Sequence, residues 1–218
     1  MQAGNFKSGE IQRVVIIHGT NGSNAIHWQS WLARKCKYAR LETVFPKLPD
    51  RSGIPKLSAW LEALDRALPI IDKTTAIIAH SSGCSVALQL LKARTDATPG
   101  LVILVAPVSP SRVLVEAKNP ELRDALLKFH EGLENGEVSL LANRISKRQV
   151  IYSPGDRWVE PDIAAKLTVE FRADVTILSI DSAHINIASG HHTYPPILDA
   201  ILRDPHRDLF YEPIKRIY

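Results

Sequence analysis

Residues 75–84 read Thr75-Ala76-Ile77-Ile78-Ala79-His80-Ser81-Ser82-Gly83-Cys84, an apolar run that ends on a serine flanked by small residues. Val86, Ala87, Leu90 and Leu91 follow at helical spacing on one face, so a buried strand passes through a tight turn into a helix. That succession has the form of a nucleophile elbow, in which the serine hydroxyl projects into a cleft and the next backbone N–H faces a developing oxyanion. Such a strained turn tolerates only small side chains two positions before and after the nucleophile. Counted from Ser81 those neighbours are Ala79 and Gly83, whereas from Ser82 they are His80 and Cys84. The pattern selects Ser81.

Further apolar runs lie on either side of this stretch: Val14–Ile17 before it, then Leu101–Ala106, Gln149–Tyr152 and Val175–Ile180, with a weaker strand in 40–45. Near-continuous Val, Ile and Leu, without alternation, mark strands covered on both faces, as in a parallel sheet. Amphipathic helix patterns separate them, notably Leu57, Trp60, Leu61, Leu64 and Leu68, and again Leu122, Ala125, Leu126, Phe129 and Leu133. Alternating strands and helices predict right-handed βαβ units in an α/β, doubly wound, mostly parallel sheet of about six strands with helices on both faces. In such a sheet the functional residues stand just beyond the carboxyl ends of the strands. Segment 109–146 is longer than one crossover helix requires; it is expected to supply part of a minimal cap, broken into two helices by Gly132, Asn135 and Gly136.

The 218 residues are 45% hydrophobic and 23% charged, the composition of one globular domain spanning 1–218 with a tail over 204–218. Lys and Arg number 27 against 23 Asp and Glu, interspersed along the chain, and the Lys215-Arg216 pair is too short for a basic arm. Nucleic acid is therefore not the expected partner. Two cysteines, Cys36 and Cys84, are too few for a disulfide framework and form no metal-ligand spacing, so neither a disulfide nor a metal is expected. The N-terminal Met1-Gln2-Ala3-Gly4-Asn5-Phe6 is polar and no apolar run approaches a membrane span. The expected setting is cytoplasmic, without a membrane.

A serine hydroxyl is a poor nucleophile at neutral pH and requires a base, usually a histidine oriented by a carboxylate. Chain order supplies both after Ser81. Ser153-Pro154-Gly155-Asp156-Arg157-Trp158 follows the strand over Gln149–Tyr152, and Asp181-Ser182-Ala183-His184-Ile185-Asn186 follows Val175–Ile180. Topology thus nominates Asp156 as the orienting acid and His184 as the base. Asp181 competes for the acid role, but it stands only three residues from His184 on the same loop. His27, His130, His191, His192 and His206 fall on helix patterns or polar loops and read as surface or packing residues, with His191 and His192 near the cleft mouth.

An oxyanion hole needs a second N–H besides that of Ser82, normally from the loop after the first strand. Here that loop reads His18-Gly19-Thr20-Asn21-Gly22-Ser23, and its glycines permit close backbone approach. Thr20 is the expected donor, with Asn21 next. Neither GxGxxG nor GxxxxGK[ST] is present, so a phosphate cradle and a nucleotide cofactor are not expected.

With these residues assembled, the chain resembles the α/β-hydrolase superfamily, and more narrowly the compact serine hydrolases related to retinoblastoma-binding protein nine and its bacterial relatives. His18-Gly19, His27-Trp28-Gln29-Ser30-Trp31-Leu32, Phe45-Pro46-Lys47-Leu48-Pro49, His80-Ser81-Ser82-Gly83 and His184-Ile185-Asn186 before Ser189-Gly190 carry the likeness. It implies an α/β-hydrolase fold, a Ser81, Asp156 and His184 triad, and hydrolysis of a small ester, thioester or amide without a cofactor. Ala79 and Ala183 stand where the family more often has glycine. The family also binds proteins, so the resemblance admits a protein partner, and a binding module on the same fold is the rival reading. Trp28, Trp31, Trp60 and Trp158 would be its aromatic surface, although their spacing is that of core residues.

Overall fold

The computed structural model describes residues 11–20, 22, 27–51, 53–134 and 136–202. Asn21, Asn135, His206 and the tail 204–218 lie outside the described residues. In chain order the elements are β1 (Arg13–Ile17), α1 (Trp28–Tyr38), β2 (Glu42–Val44), β3 (Asp50–Arg51), β4 (Ile54–Pro55), α2 (Leu57–Ala67), β5 (Thr75–His80) and α3 (Ser82–Ala93). They continue with β6 (Leu101–Val105), α4 (Pro110–Glu116), α5 (Pro120–Lys128), α6 (Glu137–Ala142), β7 (Lys147–Tyr152), α7 (Pro161–Phe171), β8 (Asp174–Ile177) and α8 (Pro195–Leu202).

Six strands form one sheet in the order β2-β1-β5-β6-β7-β8, and every neighbouring pair in it is parallel. From β1 the chain first adds β2 on one side and then β5 on the other, so the order reverses between β1 and β5. Loops at such a switch point diverge and leave a crevice beyond the strand ends. Registers Ile17↔Ala79 and His80↔Val105 bring the carboxyl ends of β1, β5 and β6 level.

All six residues of β5 are buried, because β1 and β6 flank it and helices cover both faces of the sheet. α3 follows with ten of its twelve residues buried, so it is a central helix rather than an amphipathic surface one. α2 packs against it through the face that carries the fully buried Trp60 and Leu64.

Two sequence expectations need correction here. Val175–Ile180 reads as a doubly covered strand, yet β8 stops at Ile177, and Val175 and Ile177 are 47% and 56% exposed. β8 ends the sheet and pairs only with β7, so the apolar run marks an edge strand with an uncovered face, and Ile180–Ser182 turns into a 3₁₀ segment. The described residues of 109–146 form three helices instead of two. The extra break is at Asn119, whose side chain accepts from the Leu122 N–H as an N-cap, with Pro120 at the first helical position. No helix among the described residues is long and apolar enough to cross a membrane.

Candidate active site

Ser81 occupies the turn between β5 and α3 with φ 58° and ψ −133°, a region that a residue with a side chain enters only under constraint. The constraint is local. The Ser81 N–H donates to the Val105 carbonyl at 2.9 Å and extends the β5–β6 ladder by one residue. One residue later the chain must already be helical, and the Cys84 N–H closes the first turn onto the Ser81 carbonyl at 2.9 Å. Small residues are required because the elbow is pressed against the end of β1. A Cβ on Gly83 would lie 2.6 Å from the His18 carbonyl oxygen and 2.7 Å from that of Ile17, and one on Gly19 would lie 2.6 Å from the Ser81 Cβ.

Three distant side chains meet at this rim. His184 Nε2 lies 2.9 Å from Ser81 Oγ, and His184 Nδ1 lies 2.6 Å from Asp156 Oδ2. The other oxygen of Asp156 accepts from the Trp158 N–H at 2.8 Å. The Asp156 side chain is shut away from solvent while 18% of the His184 side chain remains exposed, so water reaches the imidazole and not the carboxylate. The hydrogen bonds fix the imidazole with its proton on Nδ1, donated to Asp156, and its Nε2 lone pair facing the serine hydroxyl. Asp181, the competing acid, is exposed in the 3₁₀ segment, and the carboxylate that meets His184 is that of Asp156.

The loop that presents His184 is itself strained. Ala183 has φ 40° and Ile185 φ 49°, conformations that cost about 1–3 kcal/mol each outside glycine and are unusual for a β-branched residue. Two side chains from other elements hold it there. His80 Nε2–H donates to the His184 carbonyl at 3.0 Å, and Trp28 Nε1–H donates to the Ile185 carbonyl at 2.8 Å. The rings of Trp28 and His80 meet edge to face, with centroids 5.7 Å apart, and the Ile185 side chain is fully buried. Burial pushes the His80 pKa down to about 3, so near neutrality its ring is uncharged and acts as a fixed donor. Beyond His184, Asn186 and Ser189 form a reciprocal capping box that closes the loop.

On the other side of Ser81, the loop after β1 approaches α3. The Thr20 N–H donates to Ser82 Oγ at 2.9 Å, and the two hydroxyls also lie 2.9 Å apart. His18 Nδ1–H donates to the Gly19 carbonyl at 2.7 Å while its Nε2 accepts from the Leu48 N–H. Gly19, Thr20, His27, Gln29, Ser81 and His184 are among the residues lining a cavity of about 180 Å³ beside the serine. His27 therefore faces the site and not the surface. His191 and His192 are not among the lining residues, and His130 is packed against Ser85 Oγ at 3.2 Å, where burial lowers its pKa to about 4. None of the described lining residues comes from 109–146, the segment expected to cap the cleft.

Sequence reasoning passed over His80, Trp28, His27 and Gln29 as site residues. The available signal was the block His27-Trp28-Gln29 standing just after the first strand's loop, where a helix start must face the same rim.

Similarity to known proteins bears on the fold and the family. The chain aligns with YdeN of Bacillus subtilis (strain 168) at 30% identity over 81 residues, covering 37% of this chain and 42% of that protein. The crystal structure of the B. subtilis ydeN gene product superposes with a TM-score of 0.73 at 24% identity, over 87% of this chain and 96% of that one. Est1E from Butyrivibrio proteoclasticus gives 0.58 at 12% identity, over 89% and 90%. Both show the same fold, that of an α/β-hydrolase. Residues 14–203 match the serine hydrolase family, and over that span, most of its length, the chain belongs to it.

Proposed function

We propose that the chain hydrolyses a small carboxylic ester, thioester or amide through an acyl-enzyme on Ser81. The observation that carries this reading is the unbroken series of contacts from Asp156 Oδ2 through both nitrogens of His184 to Ser81 Oγ, at 2.6 and 2.9 Å. His184 Nε2 takes the hydroxyl proton as Oγ bonds to the acyl carbon, and Asp156 stabilises the imidazolium that forms. The same proton then passes to the leaving alcohol, thiol or amine. Water attacks the acyl-enzyme with His184 again as base, Ser81 recovers its proton, and the acid departs.

The oxyanion of each tetrahedral intermediate needs donors already in place. The backbone N–H of Ser82, at the N-terminus of the twelve-residue α3, is one. The Thr20 N–H is the second, and it would exchange Ser82 Oγ, its acceptor at 2.9 Å, for the oxyanion. Asn21, the alternative donor, lies outside the described residues.

A fluorophosphonate probe tests the assignment. Stoichiometric labelling that maps to Ser81, lost in Ser81→Ala together with a fall of roughly 10⁴ to 10⁶ in ester turnover, is the expected result. Parental turnover in that variant would overturn it.

A further inference from the structure

Gln29 lines the cavity beside Ser81 from the second position of α1. Its residue is only 3% exposed, and its Oε1 is buried without a hydrogen-bond partner among the described residues. Buried carbonyl oxygens in folded proteins are almost always paired, so an orphaned one in the wall of a reaction cavity marks a place where a ligand donor completes the set. The position is also rigid. Its neighbour Trp28 is fixed by the 2.8 Å bond to the Ile185 carbonyl, which ties the first turn of α1 to the loop that carries His184.

The remaining lining narrows the chemistry. Thr20, His27, His80 and Asn186 are polar; burial lowers the pKa of His27 and pushes that of His80 down to about 3, so both are neutral near pH 7. No Lys, Arg, Asp or Glu is among the described lining residues. A carboxylate or an ammonium on the acyl group would be desolvated there without a counter-ion. A hydrocarbon chain would strip water from Thr20 and Asn186, leave Gln29 Oε1 unpaired and return no hydrogen bond. The volume of about 180 Å³ also falls below the roughly 300–1,000 Å³ of pockets that enclose drug-sized ligands.

We propose that Gln29 is a specificity residue whose Oε1 accepts a hydrogen bond from a hydroxyl on a short, uncharged acyl group, making the substrates esters or thioesters of small hydroxy acids. This rests on the serine-hydrolase reading above and names the acyl class for that same site.

The test uses the full chain and two pairs of p-nitrophenyl esters, acetate against hydroxyacetate and butanoate against 3-hydroxybutanoate, with the fluorophosphonate probe run alongside. In at least one pair the hydroxylated ester should have the higher kcat/KM by about tenfold or more, since a site with a buried acceptor discriminates against the analogue that leaves it unpaired. Gln29→Leu, which keeps the side-chain size and removes the acceptor, should bring that ratio to within about threefold of unity. A ratio near one in both pairs for the unaltered protein overturns the proposal even if Gln29→Leu fails to fold, as does a preference that survives in a folded Gln29→Leu. Ser81 labelling with no hydroxyl preference sinks only the role of Gln29, whereas no labelling of folded protein sinks the hydrolase reading with it.

Discussion

The loops after β5 and after β8 both hold residues at positive φ, and they enforce that strain in different ways. At the elbow, Ser81 is constrained by its immediate neighbours: the strand ladder before it, the helix turn after it, and Gly83 pressed on the end of β1. At the histidine loop, Ala183 and Ile185 are held by Trp28 and His80, which are more than a hundred residues away in sequence. Ser81 is therefore placed by the backbone of its own turn and of the strands beside it, and His184 by side chains from distant elements. The two loops share one group, because the buried imidazole that anchors the histidine loop belongs to His80, the residue just before the elbow serine.

The largest effect should come from cutting the series of contacts between the two loops and the acid. Asp156→Asn leaves the shape and disfavours the imidazole tautomer, and should lower kcat about 10⁴-fold, whereas Asp181→Asn should stay within about threefold. Equal losses in steady-state ester assays of the two variants would remove the distinction between the acids. Next is the elbow: Gly83→Ala forces a Cβ to within 2.7 Å of the Ile17 carbonyl oxygen at the end of β1. Turnover should drop by roughly 10²-fold or more, since a shift of about an ångström in a reacting group has that consequence, and a crystal structure of the variant should show β1 and α3 moved apart.

Acid should weaken the histidine loop through its anchor His80. His80 titrates at about 3 in the folded protein and near 6.5 in the unfolded chain, so on acidification the unfolded state takes up the proton first. Its contribution is fully present above about pH 6.5 and falls by about 1.4 kcal/mol for each pH unit below that, toward pH 3. His130, lowered to about 4, acts in the same direction. Thermal melts should therefore show Tm falling between pH 7 and pH 5 by about 4–8 °C from His80 alone and about twice that with His130 for a chain of this size, and a flat profile would contradict the buried, neutral state of His80.

Smaller still is the loss of one anchor. Trp28→Phe removes the donor to Ile185 and keeps most of the packing, so kcat should fall about five- to thirtyfold with KM little changed. Trp60→Phe, which removes a donor to the Pro49 carbonyl instead, should cost similar stability without the drop in kcat. Parallel behaviour of the two variants would reduce Trp28 to a packing residue. Last, Ser82→Ala removes the hydroxyl that accepts from Thr20 and leaves both backbone donors, so kcat should change by less than about fivefold.

Much of this architecture can be read along the chain. All six strands of the sheet coincide with the apolar runs, and functional positions fall after β1, β5, β7 and β8, because parallel strands put their following loops on one rim. Less was legible where a signal had two physical meanings. Val175 and Ile177 carry the apolar character of a buried strand, but whether a helix covers them depends on the place of β8 in the sheet. The Asn119-Pro120 helix start was readable and was obscured by the more conspicuous glycines. The β3–β4 hairpin, with two residues in each strand, is too short for any periodicity to reveal.

The sequence by itself determined the alternation of strand and helix, the elbow and the serine it selects, because these follow from contiguous residues through period, side-chain size and backbone sterics. Only the tertiary structure decided that Asp156 and not Asp181 meets His184, that Trp28 and His80 hold the histidine loop, and that Gln29 comes to line the cavity with its side-chain oxygen buried and unpaired among the described residues. Those relations are distances between residues far apart in the chain, and such distances exist only once the sheet has brought its strand ends together.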